Sequence, residues 1–203
     1  MFVQMFTGKV TDAAAVESVL KGWPTGAGSD ATGWLGSTGG ITEDGQLVGL
    51  ARFESEEAAR ANSERPEQGQ WWESMAANLD GEASFFESSQ VDLDVVGDLD
   101  TAGFVQVMRG RVTDPDRARE LNSGDSAAWA AFRPEILGSL LFSQDDGQYV
   151  MAIYFTSEAE AREGEQKEPP AEPRAQMEEM GALEAGETTY YDLTDPWLMS
   201  PSS

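Results

Sequence analysis

Apolar and polar positions alternate at the start of the chain and then change to a helical spacing. Phe2–Val10 is rich in aromatic and β-branched side chains with polar residues at intervals, a pattern that predicts a strand. Asp12 is a candidate helix N-cap, because its carboxylate can accept from the free N–H groups of a first turn. Apolar residues then recur at the spacing of one helical face, at Val16, Val19, Leu20 and Trp23. The pattern therefore predicts a strand followed by a helix.

A hairpin, a second helix and a last strand follow. Strands are predicted over Trp34–Ile41 and Leu47–Phe53, since the Asp44-Gly45 pair between them favours a tight turn. Ser55 is the N-cap of the next predicted helix, which a proline interrupts near its middle. A final strand is predicted over Ala83–Val91. The order is β-α-β-β-α-β, which is the ferredoxin-like motif.

The chain carries this pattern twice. The opening FVQMFTGKVTD, Phe2–Asp12, returns as FVQVMRGRVTD at Phe104–Asp114, 102 positions later. At the same offset Leu35-Gly36-Ser37 matches Leu137-Gly138-Ser139, and an Asp-Gly-Gln turn also recurs. Chance identity at one position is about one in seventeen, so this run of matches indicates a duplicated unit.

The duplication predicts an α+β protein made of two tandem ferredoxin-like repeats. The first repeat is expected over residues 1–97 and the second over 103–195, with an acidic linker at 98–102 and a C-terminal tail at 196–203. One such repeat leaves a whole sheet face uncovered, and each copy could cover the other. We therefore expect an intramolecular dimeric α+β barrel, present as a monomeric pseudo-dimer or as a homodimer.

Composition narrows the classes of function. The 203 residues include 37 acidic and 13 basic side chains, and the net charge of -24 repels nucleic-acid phosphates and anionic lipid. The chain has no Cys and no His, which excludes disulfides, thiolate or imidazole metal sites and the usual haem ligand. We expect no metal, no cofactor, no nucleic-acid partner and no membrane partner. The absence of a signal-peptide pattern and of a membrane-length apolar segment favours a cytoplasmic protein.

A known family is suggested by the segment FESEEAARANSERPEQGQWW, Phe53–Trp72, which follows a strand and an Asp-Gly hairpin. It resembles the dimeric α+β barrel superfamily, in particular the antibiotic biosynthesis monooxygenase-like (ABM-like) branch and its tandem two-domain versions common in actinobacteria. The resemblance covers both halves of the chain and is better in the first. It implies a pocket between the sheet and the helices of a repeat, where an electron-rich aromatic molecule reacts with dioxygen without metal or flavin.

A pocket of this kind needs an aromatic wall for a planar substrate and donors for the oxyanion of a deprotonated phenol. The resemblance implies catalytic roles for Arg52, Asn62 and Trp72. It implies substrate binding by Gln4, Arg65, Trp71, Gln106 and Tyr154.

Structural roles for the same residues are the alternative. Trp71 and Trp72 are adjacent on a helix, so at least one of them is expected to pack in the core or an interface. Asn62 lies just before the interrupting proline and could bond freed backbone groups. At the constant offset Asn62 is replaced by Gly164 and Arg52 by Tyr154, which predicts that the second repeat has a different site or none.

Three functions stay open on the sequence. The chain could be a cofactor-independent monooxygenase, and thus an oxidoreductase, that acts on an aromatic or polyketide-like small molecule. It could bind such a molecule without turnover, or it could be a structural or stress-related protein without a ligand. A pocket completely filled by Trp side chains would favour the last of these.

Overall fold

The computed structural model describes residues 1–122 and 127–201. In chain order the elements are β1 (Phe2–Val10), α1 (Ala13–Lys21), β2 (Trp34–Ile41), β3 (Gln46–Phe53), α2 (Glu56–Ser63), α3 (Pro66–Ala76), β4 (Leu79–Ser88), β5 (Gln90–Val95), β6 (Phe104–Arg111), α4 (Pro115–Asn122), α5 (Ala127–Phe132), β7 (Ile136–Ser143), β8 (Gln148–Phe155), α6 (Glu158–Glu165), α7 (Ala171–Leu183), β9 (Thr189–Leu193) and β10 (Trp197–Met199).

The chain forms two compact units, each with a five-stranded sheet. One unit comprises Met1–Val91 together with Tyr191–Ser203, and the other comprises Asp92–Tyr190. The strand order is β10-β2-β3-β1-β4 in the first sheet and β5-β7-β8-β6-β9 in the second. The predicted α+β class with two ferredoxin-like repeats is thus confirmed. Within the described residues, no helix is long and apolar enough to span a membrane.

Local sequence signals explain where the helices of the first unit begin. The Asp12 carboxylate accepts from the backbone N–H of Ala15 at 3.0 Å, and the Ser55 hydroxyl accepts from that of Ala58 at 3.1 Å. Pro66 occupies the first turn of α3, where a missing N–H costs no hydrogen bond. The proline marks the break between α2, which ends at Ser63, and α3, which begins at Pro66.

One face of the first sheet is covered by α1, α2 and α3. Strand β1 pairs antiparallel with β3, placing Gln4 opposite Ala51 and Phe6 opposite Gly49. Because alternate side chains point to opposite faces, these positions lie on the face that carries the helices. The helices bury apolar residues against it, including Val16, Leu20, Ala59 and Met75.

The C-terminal segment differs from expectation. Residues 196–203 are predicted to be a tail, but Trp197–Met199 form β10 and pair with β2, with Trp197 opposite Gly39. The Trp197 side chain is buried in the same apolar cluster as Val16 and Leu20, which accounts for this long-range pairing. Residues 202 and 203 lie outside the described part of the chain. The expected linker contains a short 3₁₀ turn, Leu99–Thr101.

Candidate functional site

A cavity of about 90 Å³ lies between the first sheet and its helices. Its floor on β2 and β3 is made of small residues, Ser37, Gly49 and Ala51. A Cβ at Gly49 would collide with the Phe6 ring, so the glycine lets that ring lie close against the sheet. Small side chains under the helices therefore leave the space that larger residues would fill.

Aromatic rings form the wall of the cavity. Phe6 contacts the edge of Trp72 with ring centroids 5.4 Å apart, and Trp71 lies 6.0 Å from Trp72. Both tryptophans line the cavity, and both also pack against the apolar core, as was expected of at least one of them. Trp71 also packs against the apolar clusters of the unit, and its indole N–H donates to the Val19 carbonyl at 2.9 Å.

A buried amide supplies the main polar group of the wall. Asn62 lies in the last turn of α2, lines the cavity and is only 5% exposed. Arg65, two residues past the end of that helix, donates from Nη1 to Asn62 Oδ1 at 3.1 Å. Among the described residues, Asn62 Nδ2 donates to no protein atom. The guanidinium thus fixes the amide and polarises it, leaving an N–H donor for a ligand.

Two further amides, Gln4 and Gln68, belong to the polar lining. Gln4 Nε2 donates to Glu87 Oε2 at 3.1 Å, and Arg60 donates to the other Glu87 oxygen at 2.5 Å. Gln68 Oε1 accepts from the indole N–H of Trp23 at 2.7 Å, which ties α3 to the turn after α1. No residue that lines the described cavity carries an ionisable side chain. Among the described residues, no cluster of acidic side chains is arranged to hold a metal ion.

Arg52 does not join this group. It pairs with Val3, one position out of phase with Gln4 and Ala51, and therefore lies on the sheet face away from the helices. It does not line the cavity, and its Nε is buried with no hydrogen-bond partner among the described residues. The structure therefore brings together Gln4, Asn62, Trp71 and Trp72, adds Arg65 through its bond to Asn62, and leaves Arg52 out.

The second unit fills the space that corresponds to Asn62. A Cβ at Gly164 would collide with the side chains of Glu135 and Arg133. These two side chains form an ion pair, 5% and 12% exposed respectively, on the segment between α5 and β7. Arg133 also donates to the Ala161 carbonyl at 3.2 Å and lies 5.7 Å from the centre of the Phe155 ring.

The two candidate residues of the second unit lie apart from each other. Gln106, on β6, pairs with Ile153, while Tyr154, on β8, pairs with Val105. The alternation of strand side chains places them on opposite faces of the sheet. Tyr154 is 2% exposed, as expected for a core residue. Neither residue lines the cavity of the first unit.

Comparison with solved structures places this architecture among monooxygenase-like proteins. No protein-family model matches the chain, and no curated protein sequence matches it. A candidate monooxygenase from Lactobacillus acidophilus NCFM has a TM-score of 0.74 and 9% identity, covering 98% of this chain and 96% of its own. A candidate monooxygenase from Fusobacterium nucleatum has a TM-score of 0.70 and 10% identity, covering 98% and 94%.

A third structure also matches over both repeats. An anthrone oxidase-like protein has a TM-score of 0.69 and 10% identity, covering 100% of this chain and 94% of its own. At these identities the matches establish the fold. The chain has the tandem-repeat fold of these monooxygenase-like proteins, as the resemblance of Phe53–Trp72 to the ABM-like branch predicts.

Proposed function

We propose that the first unit binds a planar aromatic small molecule in its cavity and oxidises it with dioxygen, without metal or organic cofactor. One observation carries this proposal. A buried amide, Asn62, lines an aromatic-walled cavity with its oxygen held by Arg65, and its Nδ2 has no acceptor within the part of the protein that the structure describes. That arrangement suits the recognition of a phenolate or enolate oxygen. The fold shared with monooxygenase-like proteins supports the same class of reaction.

The chemistry assigns separate roles to the wall and to the amide. Trp71 and Trp72 hold the flat face of the ligand, and Asn62 Nδ2 donates to the oxygen on which negative charge develops. A substrate with an acidic methylene loses a proton to water, and its carbanion transfers one electron to dioxygen and recombines to a peroxide. After reprotonation, loss of water gives a carbonyl. Overall, a methylene and dioxygen become a ketone and water.

Binding without turnover is the second candidate, favoured by a specific feature of the lining. Within residues 1–122 and 127–201, no carboxylate or amine lines the cavity to remove a substrate proton. A substrate must therefore be acidic enough to ionise through water, and a less acidic molecule would bind and stay intact. Oxygen uptake in the presence of a bound, acidic ligand separates these two functions. The third candidate, a protein without a ligand, is disfavoured by the unfilled space beside the tryptophans.

Ligand-induced stabilisation tests the position of the site. In a thermal-shift screen against anthrones, hydroquinones and flavonoids, a ligand at 100 times its Kd should stabilise the folded protein by about 2.7 kcal/mol. We expect Trp72→Ala to abolish this rise in Tm, because it removes part of the aromatic wall. Arg52→Gln should retain the rise, because Arg52 lies on the opposite sheet face. Loss of the rise in the arginine variant, in protein that still folds, would contradict this placement.

Binding stoichiometry gives a second test. We expect one aromatic ligand per chain by isothermal titration calorimetry, because the Glu135–Arg133 pair occupies the corresponding space in the second unit. The total protein concentration is determined first from the absorbance of its six tryptophans. Two equivalent ligands per chain would show that the second unit also opens a site.

A further inference from the structure

A carboxylate outside the cavity sets the orientation of the Gln4 amide. Gln4 lines the cavity, whereas Glu87, its partner across the β1–β4 pair, does not. An ionised carboxylate only accepts, so the 3.1 Å bond between the two side chains engages Gln4 Nε2. The carbonyl oxygen Oε1 lies on the other side of the planar amide and accepts from no described residue. Gln4 therefore keeps an acceptor for a ligand.

The other two amides of the lining have the opposite polarity. Their fixed partners only donate: the Arg65 guanidinium bonds Asn62, and the Trp23 indole N–H bonds Gln68. Each partner takes the amide oxygen, and each amide keeps an NH₂ group that has no acceptor in the part of the chain that the structure describes. The lining thus combines two amide donors with the amide acceptor of Gln4.

An ion pair holds the carboxylate of Glu87 in place. Arg60, on α2, contacts its second oxygen at 2.5 Å, and it also pairs with Glu56 at 3.2 Å. The Glu87 side chain is 33% exposed, so its bond to Gln4 is partly shielded from water. Because one oxygen bonds β1 and the other bonds α2, the carboxylate restricts rotation of the Gln4 amide.

From this geometry we infer that Glu87 is a positioning residue, which orients the carbonyl oxygen of Gln4 toward the ligand and makes the site prefer a hydroxyl group over a carbonyl group. A hydroxyl donates to Gln4 Oε1 and accepts from Asn62 Nδ2, whereas a carbonyl leaves Oε1 without a donor. The inference rests on the proposed function and adds the oxygen group by which its ligand is bound, that of an alcohol, phenol or enol.

Reversing the ion pair tests the inference on the full chain. Arg60→Glu/Glu87→Lys keeps a pair between α2 and β4 but places a donor beside Gln4, so the amide should present its NH₂ group to the ligand. The probes are the uncharged pair 1-phenylethanol and acetophenone, which share their heavy atoms and differ in a hydroxyl against a carbonyl. By NMR titration, the wild type should bind the alcohol about threefold to tenfold more tightly, and the reversed variant should bind the two within about twofold.

A second readout needs no ligand. In isotope-labelled wild type, one proton on Gln4 Nε2 should be shifted downfield by its bond to the carboxylate, and the reversed variant should lose this shift. Glu56→Gln removes the other partner of Arg60, leaves Glu87 unchanged, and should alter neither readout. Circular dichroism checks folding. Glu87→Lys alone, in which Arg60 can still pair with Glu56, replaces the double variant if that one does not fold and should give the same result.

The two readouts separate the inference from the proposed function. Equal affinity of the wild type for the two probes, or an unchanged preference in the reversed variant, would overturn the inference and leave the proposed function intact. Absence of the shifted Gln4 proton in the wild type would do the same. Failure of the wild type to bind either probe, with the shifted proton present, would overturn the proposed function and with it the preference for a hydroxyl.

Discussion

Asn62→Asp is expected to lower the turnover of an oxidised substrate by about 10²- to 10³-fold, the usual loss on removing one oxyanion donor. The aspartate keeps an oxygen for the Arg65 guanidinium, which now donates to Asn62 Oδ1 at 3.1 Å. It loses the Nδ2 donor and brings a negative charge to the place where the substrate oxyanion forms. In the proposed function Trp71 and Trp72 hold the neutral ligand, so its binding should change much less than kcat. Oxygen uptake and calorimetry, measured on the same preparation, separate the two effects.

The matched control changes an amide outside the cavity. Asn78 donates from Nδ2 to the Ser74 carbonyl at the end of α3, and Asn78→Asp should leave turnover unchanged. Equal turnover in Asn62→Asp and the wild type would exclude the amide as the oxyanion donor. If neither the wild type nor the variant consumes oxygen, binding without turnover becomes the better description of the site.

Glu135→Ala is expected to destabilise the second unit by about 3–5 kcal/mol, because it leaves the Arg133 guanidinium without its carboxylate partner in a largely buried position. The remaining acceptor of Arg133, the Ala161 carbonyl, satisfies one donor and does not neutralise the charge. The two units need not unfold together, so a single Tm is not a sufficient readout. Hydrogen exchange of the β7 and β8 amides reports on the second unit directly.

A surface ion pair of the same unit provides the comparison. Glu120 accepts from Arg117 at 2.9 Å, but its side chain is 69% exposed, so Glu120→Ala should cost less than about 1 kcal/mol. The double variant Arg133→Met/Glu135→Leu removes both charges and should recover much of the stability lost in Glu135→Ala. If Glu135→Ala costs no more than Glu120→Ala, the ion pair does not hold this region of the second unit together.

Local signals in the sequence predicted the elements because they act within a few residues. The N-caps Asp12 and Ser55 bond the first turns of α1 and α2, and Pro66 begins α3. The duplication was visible as a constant offset and predicted two similar units. Three of the wall residues, Asn62, Trp71 and Trp72, also lie in one continuous segment, Phe53–Trp72, which the resemblance singled out.

The facing of β3 could not be predicted, because both of its faces are apolar. The side chains of Leu47 and Leu50 lie on opposite faces of the sheet, and both are buried. The strand therefore lacks the alternation of apolar and polar residues that would show which face carries the helices. A shift of one position exchanges the faces, so the strand pattern did not contradict the placement of Arg52 that the resemblance implied, although Ala51 is the residue that lines the cavity. The position of Gln4 on β1 would have shown which residues of β3 face the helices, but only if the register of the two strands had been known.

The ion pair of the second unit was missed for a different reason. Arg133 and Glu135 lie on a short connection, and nothing in their spacing distinguishes them from surface charges in so acidic a chain. Gly164 provided the only hint, because a glycine at the position of Asn62 leaves space for another group. Which group enters that space depends on the path of the connection, which the sequence pattern does not specify.

The position of β10 has a consequence for the biosynthesis of the protein. Met199 lines the cavity of the first unit, yet it follows the whole second unit along the chain. Strand β2 therefore remains without its neighbour on that edge while the ribosome translates more than a hundred further residues, and contacts of such large sequence separation form late. The N-terminal half can begin to fold as it emerges, but its cavity is complete only after translation has reached β10.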